Sequence, residues 1–169
     1  PSMGKTAFVL NMAQYMAFEC NKTVAIFSLE MSKEQLVNRM ISSMAEIDQQ
    51  TLRNGRIFGD DWIRLVNAIA PLGEAPVYID DTPAISVREV RAKARRLKAE
   101  QGLSMVIIDY LQLLGSDVTY KGNRYAEVGA ISKAIKGRRT GIVTTEFDDV
   151  MLSIVWLATC PKLSPVIIA

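Results

Sequence analysis

Hydrophobic positions recur along this chain at two different periods. After Thr6, the residues Ala7, Phe8, Val9, Leu10, Met12, Ala13, Met16 and Ala17 follow helical spacing. Val24 to Leu29 is a short apolar run that reads as a buried strand and ends at Glu30. Ser32 with Gln35 three residues later forms a capping-box pattern, and Leu36, Val37, Met40, Ile41 and Met44 give the helix behind it an apolar face. Leu52-Arg53-Asn54-Gly55 reads as a helix end and turn. Asp60 and Asp61 open the next helix, with Trp62, Leu65, Val66 and Ile69 predicted on one side and Pro71 and Gly73 closing it.

The second half of the pattern repeats the first. Val77-Tyr78-Ile79 predicts a short strand, and Asp80-Asp81-Thr82-Pro83 a turn rather than a metal site. Ser86 and Glu89 form a second capping box. Val87, Val90, Ala94 and Leu97 of the following helix are expected inward. Arg88, Arg91, Lys93, Arg95, Arg96 and Lys98 occupy its other faces, as a solvated basic surface or as a contact for a subunit or nucleic acid. Gly102 stops that helix, and Met105-Val106-Ile107-Ile108 is apolar on both faces, as a central parallel strand should be. Strands alternating with helices predict an α/β fold built on a mainly parallel sheet.

Composition narrows the chemistry. A chain of 169 residues, 49% hydrophobic and 22% charged, suits one domain with a real core. With no histidine, histidine-based metal sites and catalytic triads are excluded, and Cys20 and Cys160 form no paired motif. Reduced cytosolic thiols are the default, which points to the cytoplasm. A net charge of +2 announces no global field for nucleic acid and leaves a local basic surface open. No apolar stretch reaches the length of a membrane span.

The candidate chemistry lies at strand and helix ends. Pro1-Ser2-Met3-Gly4-Lys5-Thr6 matches the back half of the phosphate-binding pattern G-x-x-x-x-G-K-[ST], whose first glycine would precede residue 1. Gly4 allows close backbone approach to phosphate, Lys5 would reach the β- and γ-phosphates, and the Thr6 hydroxyl would ligate Mg²⁺. Free N–H groups and the dipole of the helix that follows favour an anion there. Asp109, after four apolar residues, fits the carboxylate that helps hold Mg²⁺, or caps the next turn. Glu30 is either a strand-end surface residue or a general base that orients the attacking water. Glu30, Asp109 and the phosphate loop converge on the carboxyl edge of a parallel sheet, where ligands bind in such folds. The polar stretch 115–123, with Lys121, Arg124, Tyr120 and Tyr125 near it, reads as a surface loop or a nucleic-acid contact.

Five strings together resemble the motor domain of the bacterial replicative DNA helicase, the DnaB family. They are Pro1 to Thr6, Ile26-Phe-Ser-Leu-Glu-Met-Ser-Lys-Glu-Gln-Leu36, Tyr78-Ile-Asp-Asp-Thr-Pro83, Arg91-Ala-Lys-Ala-Arg-Arg-Leu-Lys98 and Ile108-Asp-Tyr-Leu-Gln-Leu113. The second and last strings separate this family from recombination-type and circadian-type RecA-like ATPases. The resemblance implies a RecA-like P-loop core, a homohexameric ring, and ATP-driven translocation on single-stranded DNA with duplex unwinding at the replication fork. It implies Glu30 as catalytic base, Lys5 with Ser2, Gly4 and Thr6 on the phosphates, and Thr6 with Asp109 on Mg²⁺. A neighbouring subunit's arginine would complete the site, and primase and a helicase loader would be partners of the parent protein.

The resemblance runs to about residue 137. The stretch 138–163 is unlike the family and about twenty residues longer than the usual connection, an atypical insertion within a single domain. Pro165 to Ala169 resembles the family's next strand. The chain is thus expected to be a RecA-like core truncated at both ends, ending before the sensor glutamine, DNA loops and arginine finger. By itself it would not be expected to unwind DNA; the alternative readings are another RecA-like ATPase, of recombination or circadian type, and a non-catalytic nucleotide-binding module.

Overall fold

The computed structural model describes residues 5–109 and the backbone of a strand at 153–156. The elements are α1 (Lys5–Phe18), β1 (Val24–Ser28), α2 (Lys33–Ala45), α3 (Gln49–Arg53), α4 (Asp60–Glu74), β2 (Val77–Asp80), α5 (Val87–Gln101), β3 (Met105–Asp109) and β4 (Ser153–Trp156). The strands form one sheet in the order β2-β1-β3-β4. β1 pairs in parallel with both β2 and β3, whereas β4 runs antiparallel to β3. The sheet is therefore mainly parallel, and 153–156 adds a strand from inside the atypical stretch.

Strand order explains why helices cover both faces. The chain leaves β1, moves to one side for β2, then crosses back over β1 to reach β3. Crossovers between parallel strands keep one hand, so opposite directions of travel put their helices on opposite faces. The packing follows this rule. Val24, Ile26, Met105 and Ile107 pack with Val9, Leu10, Ala13 and Met16 of α1 and Leu36 and Met40 of α2. Ala25, Phe27, Val106 and Ile108 face the other way, against Val90 of α5, Ile85 and Leu103. Every residue of β1 and β3 is buried, as their unbroken apolar runs predict. β2 is an edge strand and only partly covered.

Both expected capping boxes form. Ser32 accepts from the Gln35 N–H while the Gln35 side chain accepts from the Ser32 N–H, and Ser86 and Glu89 do the same for α5. These side chains satisfy N–H groups that the first helical turn leaves without partners. Gly102 ends α5 at φ +68°, a left-handed conformation that a side chain would strain.

α4 departs from its sequence reading in two ways. Its buried side is Leu65 and Ala68, packed on Ala45 and Ile47 with Ile41, Met44, Leu52 and Ile57 around them. Trp62, Val66 and Ile69, expected on the buried side with Leu65, are 54%, 60% and 47% exposed. The apolar arc of α4 is wider than the surface its neighbours cover, so only one flank is buried. The helix also runs through Pro71 to Glu74 instead of closing there. Leu72, partly buried, packs against the core shared by α1 and α2, and that contact helps offset the backbone bond proline cannot make. Phe8 likewise lies half-exposed on α1, although its neighbours Val9 and Leu10 are buried.

Candidate functional site at the carboxyl edge of the sheet

Register decides which side chains meet at this edge. Ser28 and Asp109 end β1 and β3 and are direct partners across the ladder. They share strand parity with Val24, Ile26, Met105 and Ile107, whose side chains face α1. α1 begins at Lys5 and Thr6 above that same face. Consequently the Thr6 hydroxyl donates to Asp109 Oδ2 at 3.1 Å, across 103 positions of sequence. Asp109 is 7% exposed, deep for a carboxylate. The ladder continues one step further, with the Leu29 N–H donating to the Asp109 backbone carbonyl at 2.8 Å.

Glu30 lies in the turn just past β1, between the strand and the N-cap of α2, and is exposed. Two contacts shape that turn. The buried Ser28 hydroxyl donates to the Met31 carbonyl at 2.7 Å and accepts from the Met31 N–H at 3.2 Å. Asp81 Oδ2 accepts from the Lys33 N–H, the first of α2, at 3.0 Å. Sequence reasoning assigned Ser28 no role. The available signal was a lone hydroxyl ending an apolar strand, at the parity of the site.

Asp80 takes the turn role expected of it, while the Asp81 side chain reaches α2 instead. Asp80 Oδ1 accepts from the Thr82 N–H at 3.0 Å and from its hydroxyl at 2.6 Å, while Oδ2 pairs with Lys93. Burial alone would raise the Asp80 carboxyl, but the Lys93 ammonium and the Thr82 donors outweigh it and hold it below the usual carboxylate value. Among the described residues, no group of three or more His, Cys, Asp and Glu side chains gathers to hold a metal. An open groove of about 410 Å³ between α2 and α3 is lined by Met31, Gln35, Arg39, Gln50 and Arg53 among others. Neither Thr6 nor Asp109 lines it.

Ser2 and Gly4 lie outside the described residues, as do the Lys5 side chain, the polar stretch 115–123 and the stretch 138–163 apart from β4. The structure therefore brings together Thr6 and Asp109, with Glu30 in the turn that follows β1. No helix among the described residues is long and apolar enough to cross a membrane.

Comparison with known proteins bears on the fold and the family. The family model for the DnaB-like helicase C-terminal domain matches residues 1–141. The replicative DNA helicase DnaB of Geobacillus stearothermophilus is 52% identical over 136 residues, 80% of this chain and 30% of that protein. The replicative DNA helicase DnaC of Bacillus subtilis (strain 168) shows the same identity and coverage. Among solved structures, a DnaB-like replicative helicase, described with its interactions with primase, superposes with a TM-score of 0.73 at 33% identity, covering 79% of this chain and 32% of that one. A separately solved ATPase domain gives the same score and identity and is covered to 48%. The chain thus spans about a third of the length of the curated relatives it matches. With a RecA-like α/β core and a family match over most of its length, this chain belongs to the DnaB-like helicase C-terminal domain family.

Proposed function

We propose that this chain is the nucleotide-hydrolysing part of a replicative DNA helicase motor, in which ATP hydrolysis drives movement along single-stranded DNA. The observation that carries the reading is the Thr6–Asp109 hydrogen bond, which joins the Gly-Lys-Thr helix start to the carboxylate of the central strand. A hydroxyl and a carboxylate are hard oxygen donors that suit Mg²⁺, an ion usually held by one or two carboxylates with phosphates and water. Their contact fits a shared Mg²⁺ site, with Thr6 and Asp109 as its protein ligands. When bound there, Mg²⁺ would neutralise phosphate charge on the ATP whose phosphoryl group is transferred.

The chain's own residues have separate tasks in this reading. Ser2, Gly4, Lys5 and the first N–H groups of α1 hold phosphate oxygens. Glu30 accepts a proton from the attacking water and orients it, a role supported by its exposed carboxylate in the turn after β1. Kinship with replicative helicases, one of them described with its interactions with primase, supports the further reading of single-stranded DNA as track, a homohexameric ring, primase and a loader as partners, and a cytoplasmic setting. Residues 138–163 are an atypical insertion within one domain.

ATP turnover measured on the complete protein with and without single-stranded DNA tests the reading. DNA-stimulated hydrolysis is expected. ATP binding without turnover would identify a non-catalytic module instead.

A further inference from the structure

We propose that Ser28 and Asp81 are positioning residues for Glu30, clamping from both ends the turn that carries it. The inference rests on the assignment of Glu30 as the base. Glu30 projects from a short irregular segment between β1 and α2, and such a segment holds a carboxylate in place only if its backbone is held. Ser28 holds one end. It is 2% exposed, and its hydroxyl makes two bonds to one residue, donating to the Met31 carbonyl and accepting from the Met31 N–H. That closes a loop of four residues with Glu30 inside it. Ser28 is itself locked by its register with Asp109, so the turn is referred to the same strand pair that carries the Thr6–Asp109 contact.

Asp81 holds the other end from a different element. It accepts the Lys33 N–H of α2 across 48 positions. The Ser32 hydroxyl bonds the N–H of Gln35, so Asp81 serves a donor that the cap of α2 does not reach. Asp81 is placed by its neighbour Asp80, whose carboxylate fastens the Thr82 turn and pairs with Lys93 of α5. The Glu30 turn is thereby tied to both neighbours of β1, one on each side. A base displaced by about 1 Å can lose up to ~100-fold in rate while the nucleotide is still bound.

The test uses the complete protein and reads kcat, KM for ATP, nucleotide affinity by fluorescence titration, and melting temperature. Ser28→Ala and Asp81→Ala are each expected to lower kcat roughly 10-fold or more, with KM and nucleotide affinity within about twofold. Ser28→Thr and Asp81→Asn, which keep a hydroxyl and an acceptor oxygen, are expected to restore most of the rate. In a Glu30→Gln background both alanine changes should have no further effect on the residual rate. The clamp is overturned if kcat is unchanged in both alanine variants, or if their losses persist undiminished beside Glu30→Gln. It is also overturned if affinity and melting temperature fall in step with kcat. Should Glu30→Gln alone leave turnover intact, the base assignment itself fails, a result separable from failure of the clamp. Asp81 is only partly buried, so its variants keep the test decisive if Ser28→Ala does not fold.

Discussion

The carboxyl edge of the sheet and the outer flank of α4 are opposites. At the edge, polar residues more than a hundred positions apart meet at hydrogen-bond distance. On α4, neighbouring apolar residues that share a helical face stay in solvent. The difference lies in what surrounds each element. β1 and β3 have a neighbour on every side, so parity alone decides where a side chain goes. α4 packs on one flank against α2 and α3, so its periodicity says which residues align but not which of them become buried.

If the edge is where chemistry occurs, its changes should act on rate, and changes elsewhere on stability. The largest expected effect is Glu30→Gln, which should cut ATP turnover by two or more orders of magnitude with nucleotide binding largely intact, read by steady-state hydrolysis beside a binding titration. Lys5→Ala is the counterpart, expected to weaken nucleotide binding itself. Next comes the core beneath the edge. Ile107, 1% exposed, packs against α1, and Ile107→Ala should cost about 2–5 kcal/mol in denaturant unfolding. A loss under about 1 kcal/mol would mean the α1 layer is not packed as described.

Smaller effects separate the two regions further. The Asp80 carboxyl is depressed in the fold, so its contribution to stability is present above the unfolded carboxylate pKa and is lost as pH falls through the folded value. Lys93→Met should therefore destabilise by about 1 kcal/mol or less near neutrality, with the difference vanishing in strong acid, as followed by thermal melts across pH. At the low end, Val66→Ser on the exposed flank of α4 should stay within about ±0.5 kcal/mol. A loss of several kcal/mol there would erase the contrast between α4 and the core.

Much of the fold was legible because strong local signals agreed. Ser32 with Gln35 and Ser86 with Glu89 fold into the capping boxes they spell. The two apolar runs become the two fully buried strands. Gly102 ends α5 in the left-handed conformation. Other features were illegible because their partners lie far along the chain. Gln14 is buried on α1 because its amide donates to the Met40 carbonyl of α2 at 3.1 Å, which no local pattern could show. Pro71 with Gly73 read as the helix end, and the helix runs past Pro71 to Glu74 with Leu72 packed against the α1 and α2 core.

The candidate site divides in the same way. By itself the sequence determined the residue types and their places at element ends: Lys5 and Thr6 opening a helix, Glu30 and Asp109 after apolar runs, and the strings shared with replicative helicases. These are local matters of period, capping and composition. Only the tertiary structure decided that β1 and β3 are neighbours, that Ser28 stands opposite Asp109, and that Asp81 reaches α2. The physical reason is that strand order and register are set by burying both faces of the sheet at once, a condition no single segment can express. Thr6 meets Asp109 because that burial places the start of α1 over the end of β3.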